Sequence, residues 1–168
     1  MIIQDDFLPK EQFQAIASAI VYNDHFPWFY CGTIVDDQET SDFQFVHSVY
    51  LHKKGVLSPR LQILIPILEI FDPLALIRIK INGIVKTDEI IEHILHRDAG
   101  NITNPEWTTS IFYLNTNNGY TLFEDGTKVE SVANRMVTFP SNVLHTGTTC
   151  TDENMRVCVN FNYFENAK

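Results

Sequence analysis

The chain has 168 residues, 45% of them apolar and 12% aromatic, and a net charge of −9 from 12 basic and 21 acidic side chains. That length buries one sizeable core and is short for two, so a single domain over 1–168 is expected. The acidic excess, with no Lys/Arg cluster, argues against a polyanionic partner such as nucleic acid. The opening MIIQDDF turns acidic at once, unlike a signal peptide. The most apolar stretch, VLSPRLQILIPILEIFDPLALI, is broken by Arg60, Glu69, Asp72 and three prolines, which argues against a membrane span. Cys31, Cys150 and Cys158 show no disulfide or CxxC patterning, which fits a reducing compartment, the cytoplasm by default.

Along the chain, a short apolar strand precedes Pro9, which suits the start of a helix. Phe13, Ile16, Ala17 and Ile20 then follow at helical spacing as one apolar stripe. PWFYCGTIV and SDFQFVHSVY read as aromatic, β-branched strands. Trp28, Phe29 and Tyr30 in the first of them suit a substrate platform or the core, and the core reading is preferred. Ser58-Pro59 opens a second helix with Leu61, Leu64, Ile65 and Leu68 on its apolar side, and Pro66 is expected to kink or restart it. Both helices are expected to buttress a sheet from outside. LIRIKIN alternates Arg78, Lys80 and Asn82 with Ile77, Ile79 and Ile81. After a polar loop, AGNITNPEW, the run TTSIFYLN places Ile111, Tyr113 and Asn115 on one face and Phe112 and Leu114 on the other. The turn NTNNG predicts a hairpin to YTLFEDG, and KVESVA and NRMVTFP read as a further strand pair. The last strand, MRVCVNFNYF, sets Arg156, Cys158, Asn160 and Asn162 against Val157, Val159, Phe161 and Tyr163. A polar row headed by Arg suits the inside of a barrel holding a charged ligand better than a filled core; on a solvent-facing edge Arg156 would simply be hydrated.

Four residues carry the chemistry. His96 and Asp98 are two apart and share a face of an extended strand. His145 lies 47 residues beyond Asp98, far enough for intervening strands to return a third ligand. Two imidazoles and a carboxylate form the facial triad of non-haem Fe(II), which leaves coordination positions open. Arg156, eleven residues past His145, offers a fixed charge suited to bidentate hydrogen bonds with a carboxylate. His-x-Asp alone is a weak pattern, more often a surface pair. A kinase reading of His96-Arg97-Asp98 fails because the phosphate loop and the Asp-Phe-Gly motif are missing. His93 and His96 on a helix would suit zinc, but further ligands are lacking, so His93 is read as structural or as a support to the ligands.

Over most of the chain, and most strongly from Leu76 to Phe164, the sequence resembles the Fe(II)- and 2-oxoglutarate-dependent oxygenases of the prolyl-hydroxylase-like branch, its wording being most similar to small phage-encoded members. His96-Arg97-Asp98 resembles the first two metal ligands, FYLN the strand whose Tyr, here Tyr113, helps hold the far carboxylate of 2-oxoglutarate, and LHTG the distal His. MRVCVNF resembles the strand with the basic partner of the cosubstrate, and GYTLF a turn in which Gly119 stands where two glycines are usual. The resemblance implies a mostly β fold with flanking helices, a double-stranded β-helix (jelly-roll, cupin-like) barrel, with helical support over about 1–75 and the β-helix core over about 76–165. It further implies Fe(II) on His96, Asp98 and His145, 2-oxoglutarate anchored by Arg156 and Tyr113, and dioxygen as co-reactant. A hydroxyl from Thr121, Thr138 or Thr148 is expected to assist, Thr148 foremost, and Lys80 and Asn82 are further cosubstrate contacts.

The activity implied is oxidative decarboxylation of 2-oxoglutarate to succinate, coupled to hydroxylation of a peptide or protein prolyl residue. A small molecule such as a free amino acid is the second substrate class. Two other classes stay open: a cupin-type metal dioxygenase without 2-oxoglutarate, which would need the triad but not Tyr113 and Arg156, and a non-catalytic jelly-roll binding module, which would need none of them to converge. The sequence leaves the oligomeric state open. Its setting is expected to be cytoplasm, including that of a phage-infected host.

Overall fold

The computed structural model describes residues 1–33, 43–98 and 107–166. Two helices, α1 (Lys10–Ile20) and α2 (Leu61–Phe71), accompany eleven strands. These are β1 (Ile2–Gln4), β2 (Phe29–Cys31), β3 (Gln44–Leu51), β4 (Gly55–Val56), β5 (Ala75–Val85), β6 (Thr108–Tyr113), β7 (Tyr120–Phe123), β8 (Lys128–Glu130), β9 (Met136–Pro140), β10 (His145–Gly147) and β11 (Met155–Phe164). They form an eight-stranded sheet in the order β1-β9-β6-β11-β5-β3-β2, with β4 beside β3, and a three-stranded sheet in the order β10-β7-β8. All pairings are antiparallel. This is the jelly-roll architecture expected, mostly β with flanking helices. No helix of the described residues is long and apolar enough to cross a membrane.

Strict alternation along the large sheet separates two cores. On one face Val157, Val159 and Phe161 of β11, Ile79 and Ile81 of β5 and Phe112 of β6 pack against Ile16 and Ile20 of α1 and Leu64 and Ile67 of α2. On the other face Tyr113, Ile111, Val137, Phe139 and Cys158 meet Phe123 and Val129 of the small sheet. Both helices therefore lie outside the barrel, as their stripes predict. In α2 the fully buried positions are Leu64 and Ile67 rather than Ile65. Pro66 does not restart the helix, which runs through it. Burial of Leu64 and Ile67 on either side of the proline outweighs the one hydrogen bond it cannot donate.

Three expectations change. YTLFEDG does not form a hairpin with TTSIFYLN: β6 joins the large sheet and β7 the small one. The corner between them is bonded to β11 instead. The Asn115 side chain donates to the Met155 carbonyl at 2.8 Å and accepts the Val157 N–H at 2.9 Å, while Asn117 Oδ1 accepts the Gly119 N–H at 3.0 Å. Likewise KVESVA and NRMVTFP part company, β8 pairing with β7 and β9 with β6 and β1. Asn134 turns that corner at φ 66°, and its side chain bonds the backbone of Leu8. Finally, Phe29 and Tyr30 are not core: they are 59% and 69% exposed, and only Trp28 packs against the buried cluster. β2 ends the sheet, paired with β3 alone. The loop read over AGNITNPEW lies outside the described residues up to Trp107, as do the ends of the two strand readings at Ile34, Val35, Ser41 and Asp42.

Candidate metal and dicarboxylate site

The segment before Asp98 runs antiparallel beside β10, the edge strand of the small sheet. His96 and His145 exchange backbone hydrogen bonds, 2.9 Å from the His96 N–H and 3.0 Å from the His145 N–H, which sets their rings 4.7 Å apart. The 2-spacing then carries Asp98 back over the large sheet. One ligand atom from each of His96, Asp98 and His145 lies within 4.8 Å of the others, a grouping able to hold a metal ion.

Each ligand atom is oriented by a partner. His145 Nδ1 sits 3.0 Å from the Val143 carbonyl, which only accepts, so the proton is on Nδ1 and the lone pair on Nε2. That Nε2 is buried and has no hydrogen-bond partner. A buried, unpaired acceptor is costly unless something binds it, and the phenyl rings of Phe139 and Phe123, 4.7 and 6.1 Å from the imidazole, supply no donor. His96 Nε2 is 4.0 Å from Asp98 Oδ1. Burial, reinforced by the neighbouring His145, lowers the His96 pKa to about 4, so the ring is neutral and available as a ligand near pH 7. Asp98, its side chain 3% exposed, receives Arg78 Nη2 on Oδ1 at 2.8 Å and Asn162 Nδ2 and Thr109 Oγ1 on Oδ2 at 2.9 and 3.0 Å. Burial works to raise this carboxyl, but the Arg78 guanidinium and the Asn162 amide outweigh it and hold it well below the usual carboxylate range. A donor set of two imidazole nitrogens and one carboxylate fits iron(II).

At the other end of the barrel interior Arg156 is 2% exposed. It is not hydrated at an edge. Its Nε donates to Ser131 Oγ at 2.7 Å and its Nη2 to Thr121 Oγ1 at 3.0 Å, and its Cζ lies 5.4 Å from the centre of the Tyr113 ring. Tyr113 is fully buried, with its hydroxyl 2.7 Å from Thr121 Oγ1. Burial pushes its pKa up to about 12, so the phenol keeps its proton. Two glycines make room for the guanidinium: a Cβ at Gly119 would stand 2.8 Å from Arg156 Cδ, and one at Gly147 3.1 Å from Nη1. Among the described residues no carboxylate pairs with Arg156; the ion pairs are Arg78–Asp98, Lys128–Glu92 and Arg135–Asp5, with a His96–Asp98 approach.

The two ends lie on one face of β10. Gly147, beside Arg156, is two residues from His145 on β10, opposite Thr121, just as His145 is opposite Phe123. Along β11, Arg156, Cys158, Asn160 and Asn162 stand opposite Ile84, Asn82, Lys80 and Arg78 of β5. Asn82 and Lys80 thus sit between the arginine and the ligand cluster, and Asn82 Oδ1 is buried without a hydrogen-bond partner. Thr148 is placed differently from expectation. Its hydroxyl is taken by backbone, accepting the Tyr120 N–H at 2.9 Å and donating to the Thr149 carbonyl at 2.8 Å. Thr138 meets Ser110. The hydroxyl that reaches Arg156 is that of Thr121. His93 lies on the segment beside β10, its N–H 3.4 Å from the Gly147 carbonyl. The sequence did not single out Arg78, Thr109, Asn162 or Ser131. Alternation marks Arg78 and Asn162 as inward, but only the β5–β11 register places them side by side.

No family model and no curated protein matches the chain. Solved structures do. The non-heme alpha ketoglutarate dependent epimerase SnoN from nogalamycin biosynthesis superposes over 98% of this chain and 77% of its own, with a TM-score of 0.66 at 14% identity. It is also known in complex with Fe3+, alpha ketoglutarate and nogalamycin RO. A Trichoplax adhaerens prolyl hydroxylase, in complex with a hypoxia inducible factor peptide fragment, gives 98% and 83% coverage, a TM-score of 0.64 and 15% identity. The viral collagen prolyl hydroxylase from Paramecium Bursaria Chlorella virus-1 gives 98% and 96%, 0.55 and 13%. At such identities the likeness is one of fold, and the fold is the jelly roll of the 2-oxoglutarate and iron oxygenases, prolyl hydroxylases among them.

Proposed function

We propose that this protein is a non-haem Fe(II) dioxygenase that couples decarboxylation of 2-oxoglutarate to hydroxylation of its substrate, with a peptide or protein prolyl residue as the leading target and a free amino acid as the second. The observation that carries the reading is Arg156: a guanidinium buried among hydroxyls and an aromatic ring, with no described carboxylate beside it, in the same interior as a His-Asp-His cluster. A buried charge calls for an anion. A dicarboxylate that ends at Arg156 answers this, and a cupin-type reaction without 2-oxoglutarate leaves it unanswered.

In this reading His96 Nε2, Asp98 Oδ1 and His145 Nε2 hold the iron. Bound iron, with 2-oxoglutarate and dioxygen, supplies the oxidative chemistry that yields succinate, carbon dioxide and a hydroxylated product. The chain's own part is position and charge. Arg156 and the protonated Tyr113 hydroxyl grip the far carboxylate, Thr121 ties the two together, and Asn82 and Lys80 flank the dicarboxylate's carbon chain. Phe123 and Phe139 keep water from His145. The small sheet has three strands against eight, and on β3 Ser48, opposite Lys80, is exposed. A substrate would reach the metal from this side of the large sheet, past Ser48 and Lys80. The net charge of −9 favours a peptide or small molecule there over a nucleic acid.

Anaerobic titration with Fe(II) and 2-oxoglutarate is expected to produce the weak visible charge-transfer band of the chelate. With air admitted, succinate release is expected to be stimulated by proline-rich peptides, less by free amino acids, and not by oligonucleotides. No band would overturn the cosubstrate assignment. Stimulation by oligonucleotides alone, fading steeply with salt, would overturn the substrate class.

A further inference from the structure

Asp98 has more partners than a carboxylate ligand needs, and their distribution over its two oxygens is uneven. Oδ2 is filled by two neutral donors, Asn162 Nδ2 and Thr109 Oγ1. Oδ1, the oxygen 4.0 Å from His96 Nε2, is the one that receives the Arg78 cation, at 2.8 Å. Arg78 is itself held in place: its Nε donates to Asn162 Oδ1 at 2.9 Å, so the asparagine binds the carboxylate with its amide nitrogen and the guanidinium with its oxygen. A metal ion on His96 and His145 would therefore approach the oxygen that already carries the Arg78 cation, while the other is bonded to Thr109 and Asn162.

Two ligands at right angles on an ion with bonds of about 2.1 Å stand about 3 Å apart. The 4.0 Å between Oδ1 and His96 Nε2 must close for an ion to be shared. As an ion arrives, a positive charge already bonded to Oδ1 repels it.

We propose that Arg78 is a stand-in cation for the metal: it neutralises and orients Asp98 when no ion is bound, and yields Oδ1 when a divalent ion takes it. Metal binding then exchanges one cation for another on a pre-positioned carboxylate. The exchange keeps the buried Asp98 paired at every stage and moderates the affinity for the ion. It also frees an Nη group of Arg78, whose side chain is 24% exposed, beside the bound ion. The inference rests on the reading that His96, Asp98 and His145 bind a divalent ion.

The test uses Mn(II) as the ion, with the chelator-treated protein as wild type, Arg78→Gln and Arg78→Lys. The stand-in role predicts opposite signs in two measurements. Without Mn(II), Arg78→Gln melts at a lower temperature than wild type because Asp98 loses its counter-charge. By isothermal titration it binds Mn(II) more tightly, on the order of tenfold, because the repelling charge is gone. Arg78→Lys, which keeps the charge, stays within a few-fold of wild type in Mn(II) affinity. Weaker Mn(II) binding by Arg78→Gln would make Arg78 an ordinary structural support and overturn the inference. If wild type binds no Mn(II) at all, the metal reading itself fails, and this inference with it. A measurement on the wild type covers the case in which the variants do not fold. Nitrogen-15 NMR of the chelator-treated protein is expected to show slow rotation about the Arg78 Cζ–Nη2 bond, which speeds up on saturation with Zn(II). Unchanged slow rotation with Zn(II) bound would equally overturn the exchange.

Discussion

β11 presents two faces of the same strand to two different environments. Val157, Val159 and Phe161 enter a dry core with the helices, where what matters is volume and shape. Arg156, Cys158, Asn160 and Asn162 enter the barrel interior, where Arg156 and Asn162 each hold a specific partner at a specific atom. One face resists unfolding and the other positions charge. A substitution on the first should change stability and leave ligand affinities alone, and a substitution on the second should do the reverse.

The largest expected effect is at the ligands. Asp98→Ala or His145→Ala removes a donor from the cluster and should abolish succinate formation and Mn(II) binding, while circular dichroism shows a retained fold. Wild-type turnover in either variant would show that residue to be no ligand. On the opposite face, Phe161→Ala should cost about 3 to 5 kcal/mol of folding stability by leaving a cavity against Phe71 and the helices. Chemical denaturation measures the loss, and Mn(II) affinity of the folded fraction should not move. Loss of metal affinity without loss of stability in Phe161→Ala would break the distinction between the two faces.

Within the polar face the two ends can be separated. Arg156→Met should weaken 2-oxoglutarate by on the order of 2 to 5 kcal/mol, the cost of leaving a carboxylate unpaired in a dry pocket, while Mn(II) affinity stays near wild type. Unchanged 2-oxoglutarate affinity would remove the cosubstrate from this end of the barrel. A smaller effect is expected from acid. His96 takes up its proton only at about pH 4 in the folded chain, against an ordinary value of 6.5. In chelator-treated protein the stability that comes from keeping this ring neutral is complete above pH 6.5. It declines as the pH falls toward 4, because only the unfolded chain binds the proton across that window. Denaturation midpoints measured from pH 7 to 4 should fall more steeply in wild type than in His96→Gln.

Much of this was legible in one dimension. Strand alternation alone assigned the polar and apolar faces of β5 and β11, because side chains on a strand have a period of two whatever they pack against. The spacing of His96, Asp98 and His145 pointed to the cluster before any fold was known, and the alternation of β11 put Arg156 on the inward, polar face. What the sequence could not settle were matters of partnership between distant segments. NTNNG looks like a hairpin turn, yet Asn115 and Asn117 bond to β11 and to the corner itself, which sends β7 into the other sheet. Phe29 and Tyr30 look like core, but β2 ends the sheet and leaves them exposed.

Local sequence determined the strand faces, the helix stripes and the donor types, since each depends only on neighbours along the chain. The tertiary structure alone decided which donors meet. It placed Arg78 opposite Asn162 and both on Asp98, chose Thr121 over Thr148 as the hydroxyl on Arg156, and used Gly119 and Gly147 to admit the guanidinium. Those choices follow from strand register, which is fixed by the packing of the whole sheet and has no signature in any single segment.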